Sequence, residues 1–99
     1  MQLKWTDLAD IDLDEIEAHI AEDNSPLVAI DVVMNIIDSA HLILPTHPGA
    51  GRQGRVKNTR ELVINGSPFI LIYREHVTEG CIEILRVLHE AQQWPIKGL

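Results

Sequence analysis

Four basic side chains lie close together in the middle of the sequence, within residues 51–64. Arg52, Arg55, Lys57 and Arg60 precede the first acidic residue of this segment, and they are half of the eight lysines and arginines in the chain. Arginine presents a planar, permanently charged set of N–H donors that fits phosphate and carboxylate groups. The segment therefore predicts a site for an anionic partner, and the alternative is a solvated loop whose charges keep the domain in solution.

Three further residues are candidates for ionic or proton-transfer chemistry. Arg74 ends the predicted middle strand, where it adds a fifth cation to the candidate partner-binding set. Arg86 and His89 are the catalytic candidates, because an arginine stabilises phosphate charge and a histidine exchanges protons near neutral pH. The alternatives are a structural ion pair of Arg86 with Glu61 or Glu83, and a hydrogen-bonded histidine at the end of a strand.

The sequence predicts neither a metal site nor a bound cofactor. No two histidines have the spacing of a metal-binding helix, and one cysteine cannot build a zinc site. Cys81 begins a predicted strand without a neighbouring base, which is typical of a buried, inert thiol. Glycines 49 and 51 precede a strand rather than a helix, so they do not form a recognised phosphate-binding loop.

Length and composition predict one cytoplasmic domain spanning residues 1–99. The hydrophobic content of 45% supports a core that must be mainly aliphatic, since only four residues are aromatic. The N-terminus lacks the basic-then-apolar order of a signal peptide. No apolar run approaches the roughly 20 residues of a membrane span, so we expect no membrane partner. A single cysteine excludes an internal disulfide and fits a reducing compartment.

The net charge of −7 is unevenly distributed along the chain. Residues 1–51 hold ten acids and one base, for a charge of −9, whereas residues 52–99 hold seven bases and five acids, for +2. An acidic chain is a poor general binder of nucleic acid, because that binding depends on clustered cations. The basic cluster can still act at short range, since salt screens the more distant acids.

Two helices are predicted before residue 45. Thr6 or Asp7 caps the first, whose apolar residues recur at helical spacing to about residue 24. Ser25 and Pro26 begin the second, which runs to Leu44 and is apolar over most of its circumference. Such a helix needs cover on two sides, so we expect a partner chain to contact the helical hairpin or the sheet edge.

Residues 45–54 are predicted to be a loop, and three strands are predicted to follow it. They span residues 59–64, 69–75 and 81–89, with an Asn-Gly turn between the first two. Alternation along the last strand puts Arg86 on the same side as Ile82, Ile84 and Leu88. With a short strand at residues 2–6, the fold class is α+β: a helical hairpin on one face of a three-stranded antiparallel meander.

The order of these elements and a set of short motifs resemble the RelE/ParE superfamily of toxins. The motifs, together with the segment 21–26 in the hairpin, cover nearly the whole chain; they are Arg52-Gln-Gly-Arg55, Thr59-Arg60-Glu61-Leu62-Val63, Pro68-Phe69, Tyr73-Arg74, residues 82–89, and Trp94-Pro95. The resemblance implies a small intracellular bacterial toxin, made beside a short antitoxin that wraps and silences it. It also implies a homo-oligomer or a heterotetramer with that antitoxin.

The superfamily contains two mechanisms, and the resemblance favours the one without a nuclease. RelE-like members cut messenger RNA in the ribosome with arginines at the positions of Ile70 and Ala91, and related sequences carry arginine where this chain has Gln92. A ParE-like toxin that poisons DNA gyrase is therefore expected. The alternatives are a degenerate toxin that only binds antitoxin, or an mRNA endoribonuclease that uses Arg55, Lys57, Arg60, Arg86 and His89.

The expected contact residues for target or antitoxin are the basic set with two C-terminal residues: Arg52, Arg55, Lys57, Arg60, Arg74, Gln92 and Trp94. Within this set the sequence predicts a division of labour. Arg60 alternates with Leu62 and Ile64, so it is expected to be tied to a carboxylate and to stabilise the fold. Arg52 and Arg55 lie on the glycine-containing loop, where they are expected to be free for binding.

Overall fold

The computed structural model describes residues 1–92 and 94, and it confirms the α+β class with a helical hairpin on one face of an antiparallel meander. Five strands form one sheet in the order β1-β5-β4-β3-β2. The elements in chain order are β1 (Gln2–Trp5), α1 (Asp7–Asp23), α2 (Pro26–Ile43), β2 (Arg52–Gln53), β3 (Arg60–Val63), β4 (Phe69–His76) and β5 (Cys81–His89). Pro95, which the sequence predicts to end any C-terminal turn, lies outside the described residues.

Local capping chemistry fixes where both helices begin. The Thr6 hydroxyl accepts a hydrogen bond from the Ala9 amide at 3.1 Å, and Ser25 does the same for Val28 at 3.2 Å. Each cap satisfies one of the amides that has no partner inside its helix. Both helices therefore start at the residues expected from the sequence.

The helices cover one face of the sheet, and a smaller apolar cluster lies on the other. The main core joins side chains of α1 and α2 to alternate residues of the strands, among them Leu71, Tyr73, Ile82 and Ile84. The opposite face holds a cluster of Ile70, Ile72 and Leu88, with Leu85 and Trp94 packed against it. Trp94 thus packs back on the domain, as expected for a large apolar side chain near the end of the chain.

Strand β1 pairs in parallel with β5, an arrangement that the sequence did not indicate. Gln2 lies opposite Cys81, and Trp5 lies opposite Ile84. At the end of this pairing, the Thr6 amide donates to the Ile84 carbonyl at 3.1 Å, and the Thr6 hydroxyl donates to the Leu85 carbonyl at 3.1 Å. Thr6 thus caps α1 and also attaches its first turn to β5.

An irregularity in β5 changes the side to which its C-terminal half points. Ile72 pairs with Arg86 and Tyr73 pairs with Ile84, so Leu85 is an extra residue on the bulged strand. Ile82, Ile84 and Val87 consequently share the helical face, whereas Leu88 belongs to the opposite cluster. The predicted grouping of Leu88 with Ile82 and Ile84 is therefore wrong, because simple alternation does not hold across a bulge.

Helix α2 leaves a large apolar surface without cover from the described residues. Only 17% of the helix is buried, through positions such as Ala29 and Ile36, while Leu27, Ile30 and Met34 are exposed along one stripe. By length and mean hydropathy (18 residues, 1.5), α2 could cross a membrane, so the expectation that no apolar run approaches a span is too strict. Its inner face nevertheless joins the domain core, which favours the expected protein partner.

Candidate partner-binding site

Glu61 organises the basic loop, which we define as residues 51–60. Its carboxylate is 2% exposed and accepts hydrogen bonds from the Arg52 guanidinium at 3.0 Å and from the Arg55 amide at 3.1 Å. The Arg55 Nε also lies 3.8 Å from the second carboxylate oxygen. These contacts form where Arg52 pairs with Glu61 across β2 and β3, inside the segment predicted to be a loop.

The prediction that Arg52 and Arg55 are free of ionic contacts is wrong, since both are tied to Glu61. Their side chains remain 57% and 50% exposed. A guanidinium has five N–H donors, and one carboxylate occupies only part of them. Both arginines can therefore present donors to a partner from a fixed position, which lowers the conformational entropy lost on binding.

Arg60 is held more by a backbone carbonyl than by a carboxylate. Its guanidinium donates to the Gly51 carbonyl at 2.9 Å, and its Nε lies 4.0 Å from the Glu75 carboxylate. The predicted carboxylate partner therefore exists only at the outer limit of an ion pair. The hydrogen bond to Gly51 connects the start of β3 with the start of the basic loop.

Tyr73 fixes the entrance of the basic loop from inside the core. Its hydroxyl donates to the Pro48 carbonyl at 2.7 Å and accepts from the Gly51 amide at 2.9 Å. Burial raises the pKa of this phenol, so the hydroxyl keeps its proton as a donor. The tyrosine and Arg60 together hold Gly51 from two sides.

Gly51→Ala is expected to lower the free energy of unfolding by about 1–2 kcal/mol, because the added methyl group overpacks a tight contact. A Cβ at Gly51 would lie 2.8 Å from the Tyr73 ring and hydroxyl, and 2.9 Å from the Glu61 carbonyl. Gly49→Ala is the matched control, since its Cβ would meet no atom of the described part of the chain within 4 Å. Urea unfolding of both variants measures the difference, and equal midpoints would contradict the packing argument.

Arg74 and His76 share one carboxylate at the far end of β4. Arg74 Nε lies 2.8 Å from Glu83 Oε1, and His76 Nε2 lies 3.0 Å from the same oxygen. Hydrogen bonds from His76 and Arg74 lower the pKa of Glu83, so its carboxylate stays ionised. Lys57 lies in the loop facing this end of the sheet and is exposed.

Arg86 is locked into an ion pair with Asp12 of α1. Its Nε and one terminal nitrogen donate to the two Asp12 oxygens at 2.8 and 2.9 Å, and the Val87 amide donates to Asp12 at 2.8 Å. The Arg86 and Asp12 side chains are 16% and 8% exposed, and the hydrogen bond to Asp12 raises the pKa of Arg86. The proposed partners Glu61 and Glu83 are therefore wrong, whereas the structural ion pair is confirmed.

His89 organises the turn that follows β5. Its Nδ1 accepts from the Ala91 amide at 3.0 Å, and its own amide donates to the Gln92 side-chain oxygen at 2.7 Å. Its ring meets the Phe69 ring edge-on, with centroids 5.6 Å apart. The alternative of a hydrogen-bonded histidine at the end of a strand is the one observed.

Trp94 and Gln92 belong to this same C-terminal turn rather than to the basic loop. The indole ring packs on the sheet face away from the helices, and its Nε1 is buried without a hydrogen-bond partner among residues 1–92. Gln92 and His89 line a cavity of about 430 Å³ beside α1. The predicted contact residues thus form two groups, the basic loop with Arg74 and the C-terminal turn.

The structure does not bring the nuclease candidates to one point. Arg60 lies opposite Tyr73 on one side of β4, and His89 lies opposite Phe69 on the other side. Four residues of strand correspond to about 13 Å, and the two partner strands are separated by β4 itself. Arg86, which lies between them along β5, is already paired with Asp12. A phosphate cannot contact Arg60, Arg86 and His89 together in this conformation.

Two acidic residues with structural roles were missed or misassigned at the level of sequence. Asp12 was not distinguished from the other acids of the first helix, although it lies three residues after Ala9 and four before Ile16, which are both on the apolar face. That spacing is a readable signal for a buried carboxylate. Glu61 was recognised as a partner for an arginine, but for Arg86 rather than for Arg52.

Comparison with known proteins agrees with this architecture. The family model described as the ParE toxin of the type II toxin-antitoxin system parDE matches residues 3–94. A Sinorhizobium fredii (strain NBRC 101917 / NGR234) protein named "Putative toxin Y4kP" is 44% identical over 94 residues, which cover 95% of this chain and 93% of that protein.

Two solved structures are similar to the chain. One comes from the chromosomal ParDE TA system from P. aeruginosa, with a TM-score of 0.82, 32% identity, and coverage of 90% of this chain and 95% of the other. The toxin-antitoxin complex RelBE2 from Mycobacterium tuberculosis has a TM-score of 0.67 at 21% identity, covering 89% and 95%, so that likeness concerns the fold alone. The chain therefore belongs to the family of ParE toxins of type II toxin-antitoxin systems.

Proposed function

We propose that this protein acts in the bacterial cytoplasm by inhibiting DNA gyrase, and that a cognate antitoxin neutralises it. The observation that carries the proposal is the match of the ParE toxin family over residues 3–94. The likeness to a chain of a ParDE system, at 32% identity, supports the same assignment. Gyrase is inferred as the target from the family. The geometry of the candidate residues supports it only indirectly, because it disfavours cleavage of messenger RNA.

The runner-up function, ribosome-dependent cleavage of messenger RNA, requires a general base, a general acid and cations on one phosphate. In this chain the Arg86 guanidinium donates to Asp12, and His89 Nδ1 accepts a hydrogen bond from the Ala91 amide. Ile70 and Ala91 supply no charge at the positions where RelE-like nucleases carry arginine. These contacts favour a toxin that acts by binding rather than by cleavage.

We propose the exposed apolar stripe of α2 as the contact for the antitoxin. Leu27 is 75% exposed, and Ile30 and Met34 are 47% and 46% exposed at helical spacing from it. A covering segment that buried these three side chains would gain hydrophobic free energy without having to unfold the toxin. Such a complex would be a heterotetramer if either chain also dimerises.

The decisive experiment exposes one purified preparation to two assays, supercoiling by gyrase and cleavage of ribosome-bound messenger RNA. We expect loss of supercoiling, intact messenger RNA, and relief of the inhibition when the product of the neighbouring short gene is added. Cleavage that disappears in His89→Ala, with Arg86→Ala interpreted only after its stability is measured, would establish the nuclease instead. Binding of the antitoxin with neither activity would identify a degenerate toxin.

Measuring antitoxin affinity of a surface variant tests the role of the apolar stripe. Leu27→Asp is expected to weaken antitoxin binding by at least tenfold, because it places a charge in a contact that must be desolvated. Glu22→Lys, at an exposed position in α1, is the control for a change of surface charge. Unchanged antitoxin affinity in a folded Leu27→Asp variant would remove the stripe from the interface.

A further inference from the structure

A wide cleft opens at the end of the sheet where β3 begins and β4 ends. Its volume is about 750 Å³. Among the lining residues are four that carry or can carry positive charge and two that are apolar: Lys57, Arg60, Arg74, His76, Val56 and Val77. The cleft is separate from the C-terminal turn, because β4 meets His89 at its opposite end.

The cations of the cleft retain donors that no described residue uses. Lys57 forms no ion pair within residues 1–92 and 94. Among the described residues, Arg74 contacts Glu83 through Nε alone and is 46% exposed, so none of them occupies its two terminal nitrogens. Arg60 gives one terminal nitrogen to the Gly51 carbonyl and retains the other. Donors from two strands and one loop therefore face the same space.

The charge balance makes the cleft selective for a short anionic segment. Glu75 lines it and Glu83 holds Arg74, so three permanent cations are opposed by two carboxylates. The local excess is small, and it belongs to a chain whose net charge is −7. A long phosphodiester chain would be repelled outside the cleft, whereas one or two carboxylates inside it would meet only the local cations.

The apolar part of the cleft indicates which side chains a bound segment carries besides its carboxylates. Val77 is 74% exposed at the turn after β4, and Val56, in the basic loop, lines the same cleft. An isolated phosphate or carboxylate would leave both valines in water. An acidic peptide with an aliphatic side chain between its carboxylates would cover them as well.

We propose that this cleft binds an acidic peptide segment of a partner protein, in which carboxylates pair with Lys57 and Arg74 and an aliphatic residue packs on Val77. The binding of such a segment does not depend on gyrase being the target. Failure of this proposal would therefore leave the proposed function standing, and the reverse also holds.

The test measures binding of a fluorescein-labelled peptide of repeated Glu-Asp-Leu units by anisotropy. We expect Lys57→Ala and Arg74→Ala each to weaken binding about three- to fivefold, the effect of one partly screened charge pair. Lys4→Ala is the matched control: it removes one charge from an exposed residue of β1 that does not line the cleft, and it should leave affinity unchanged. Thermal melts verify folding, and Lys57, which forms no ion pair with any residue that the structure describes, can be replaced without releasing one of their carboxylates.

Three results would overturn the proposal. The first is equal weakening by Lys4→Ala and Lys57→Ala, which would mean diffuse attraction to the whole surface. The second is equal affinity for a peptide of Gln-Asn-Leu units, which would remove the role of the carboxylates. The third is tighter binding of a single-stranded RNA of the same formal charge, which would assign the cleft to phosphates.

Discussion

Asp12→Asn is expected to lower the free energy of unfolding by about 3 kcal/mol, because it leaves a largely buried guanidinium without its counter-charge. Asp12 accepts three hydrogen bonds, two from Arg86 and one from the Val87 amide, at distances of 2.8 to 2.9 Å. An asparagine keeps the shape of the side chain but replaces one acceptor with a donor that faces other donors. Urea unfolding monitored by circular dichroism measures the change.

Asp14→Asn is the control for this substitution, since Asp14 is exposed on the same helix and should stay within about 0.5 kcal/mol of the wild type. The double variant Asp12→Leu with Arg86→Met should recover part of the loss, because it removes both charged groups and leaves only the Val87 amide unsatisfied. Equal unfolding free energies for Asp12→Asn and Asp14→Asn would show that the ion pair contributes nothing.

The Asp12–Arg86 pair also affects how toxicity assays are interpreted. Replacing Arg86 removes the buried ion pair between α1 and β5, so loss of growth inhibition in Arg86→Ala follows from instability as readily as from lost chemistry. Toxicity of an Arg86 variant is informative only beside its measured stability. His89→Ala is the cleaner probe of cleavage, since it removes one hydrogen bond within the C-terminal turn and one ring contact with Phe69, and it breaks no buried ion pair.

Three features were predictable because their causes are local: the bounds of the helices, the order of strands within the meander, and the apolar side of each helix. Ser25 followed by Pro26 defines a helix start within two residues, and an Asn-Gly pair defines a hairpin in the same way. Periodicity then identifies which side of each element is apolar. None of these signals requires knowledge of which distant segments meet.

The features that escaped prediction depend on contacts between distant parts of the chain. The parallel placement of β1 joins residues about eighty positions apart, and a strand pattern contains no information on its neighbour. The bulge at Leu85 is a property of the β4–β5 pair, and it redirects every later side chain of β5. The partner of Arg86 could not be named correctly without that shift.

The candidate site was predictable as a set of cations but not as a structure. Arg52, Lys57 and Arg60 were identified by their density in the sequence, which needs no fold. Which of them is held, and by what, follows from the short strand β2, and two residues are too few to stand out in sequence. As a result, the stabilising role given to Arg60 in the sequence analysis belongs more to Glu61.

Glu61→Gln is the second substitution expected to have a large effect, lowering the free energy of unfolding by about 2–3 kcal/mol, as is usual for loss of hydrogen bonds to a charged group. The buried carboxylate accepts from the Arg52 side chain and from the Arg55 amide. A glutamine amide has only one oxygen, so its NH₂ group would face one of these two donors. The basic loop should then lose its fixed position, and antitoxin affinity should fall as well.

Replacing an arginine of the basic loop should lower the free energy of unfolding less than replacing Glu61. Arg52→Ala is expected to cost no more than about 1 kcal/mol, because its side chain is more than half exposed and the Arg55 amide still donates to the Glu61 carboxylate. Glu75→Gln is the matched control for the carboxylate, since Glu75 lies 4.0 Å from its nearest arginine nitrogen and is 26% exposed. A Glu61→Gln variant that unfolds at the same urea concentration as Glu75→Gln would contradict the central role of Glu61. The double variant Arg52→Ala, Arg55→Ala is expected to weaken partner binding, and in that case the weakening would come from lost direct contacts rather than from a displaced loop.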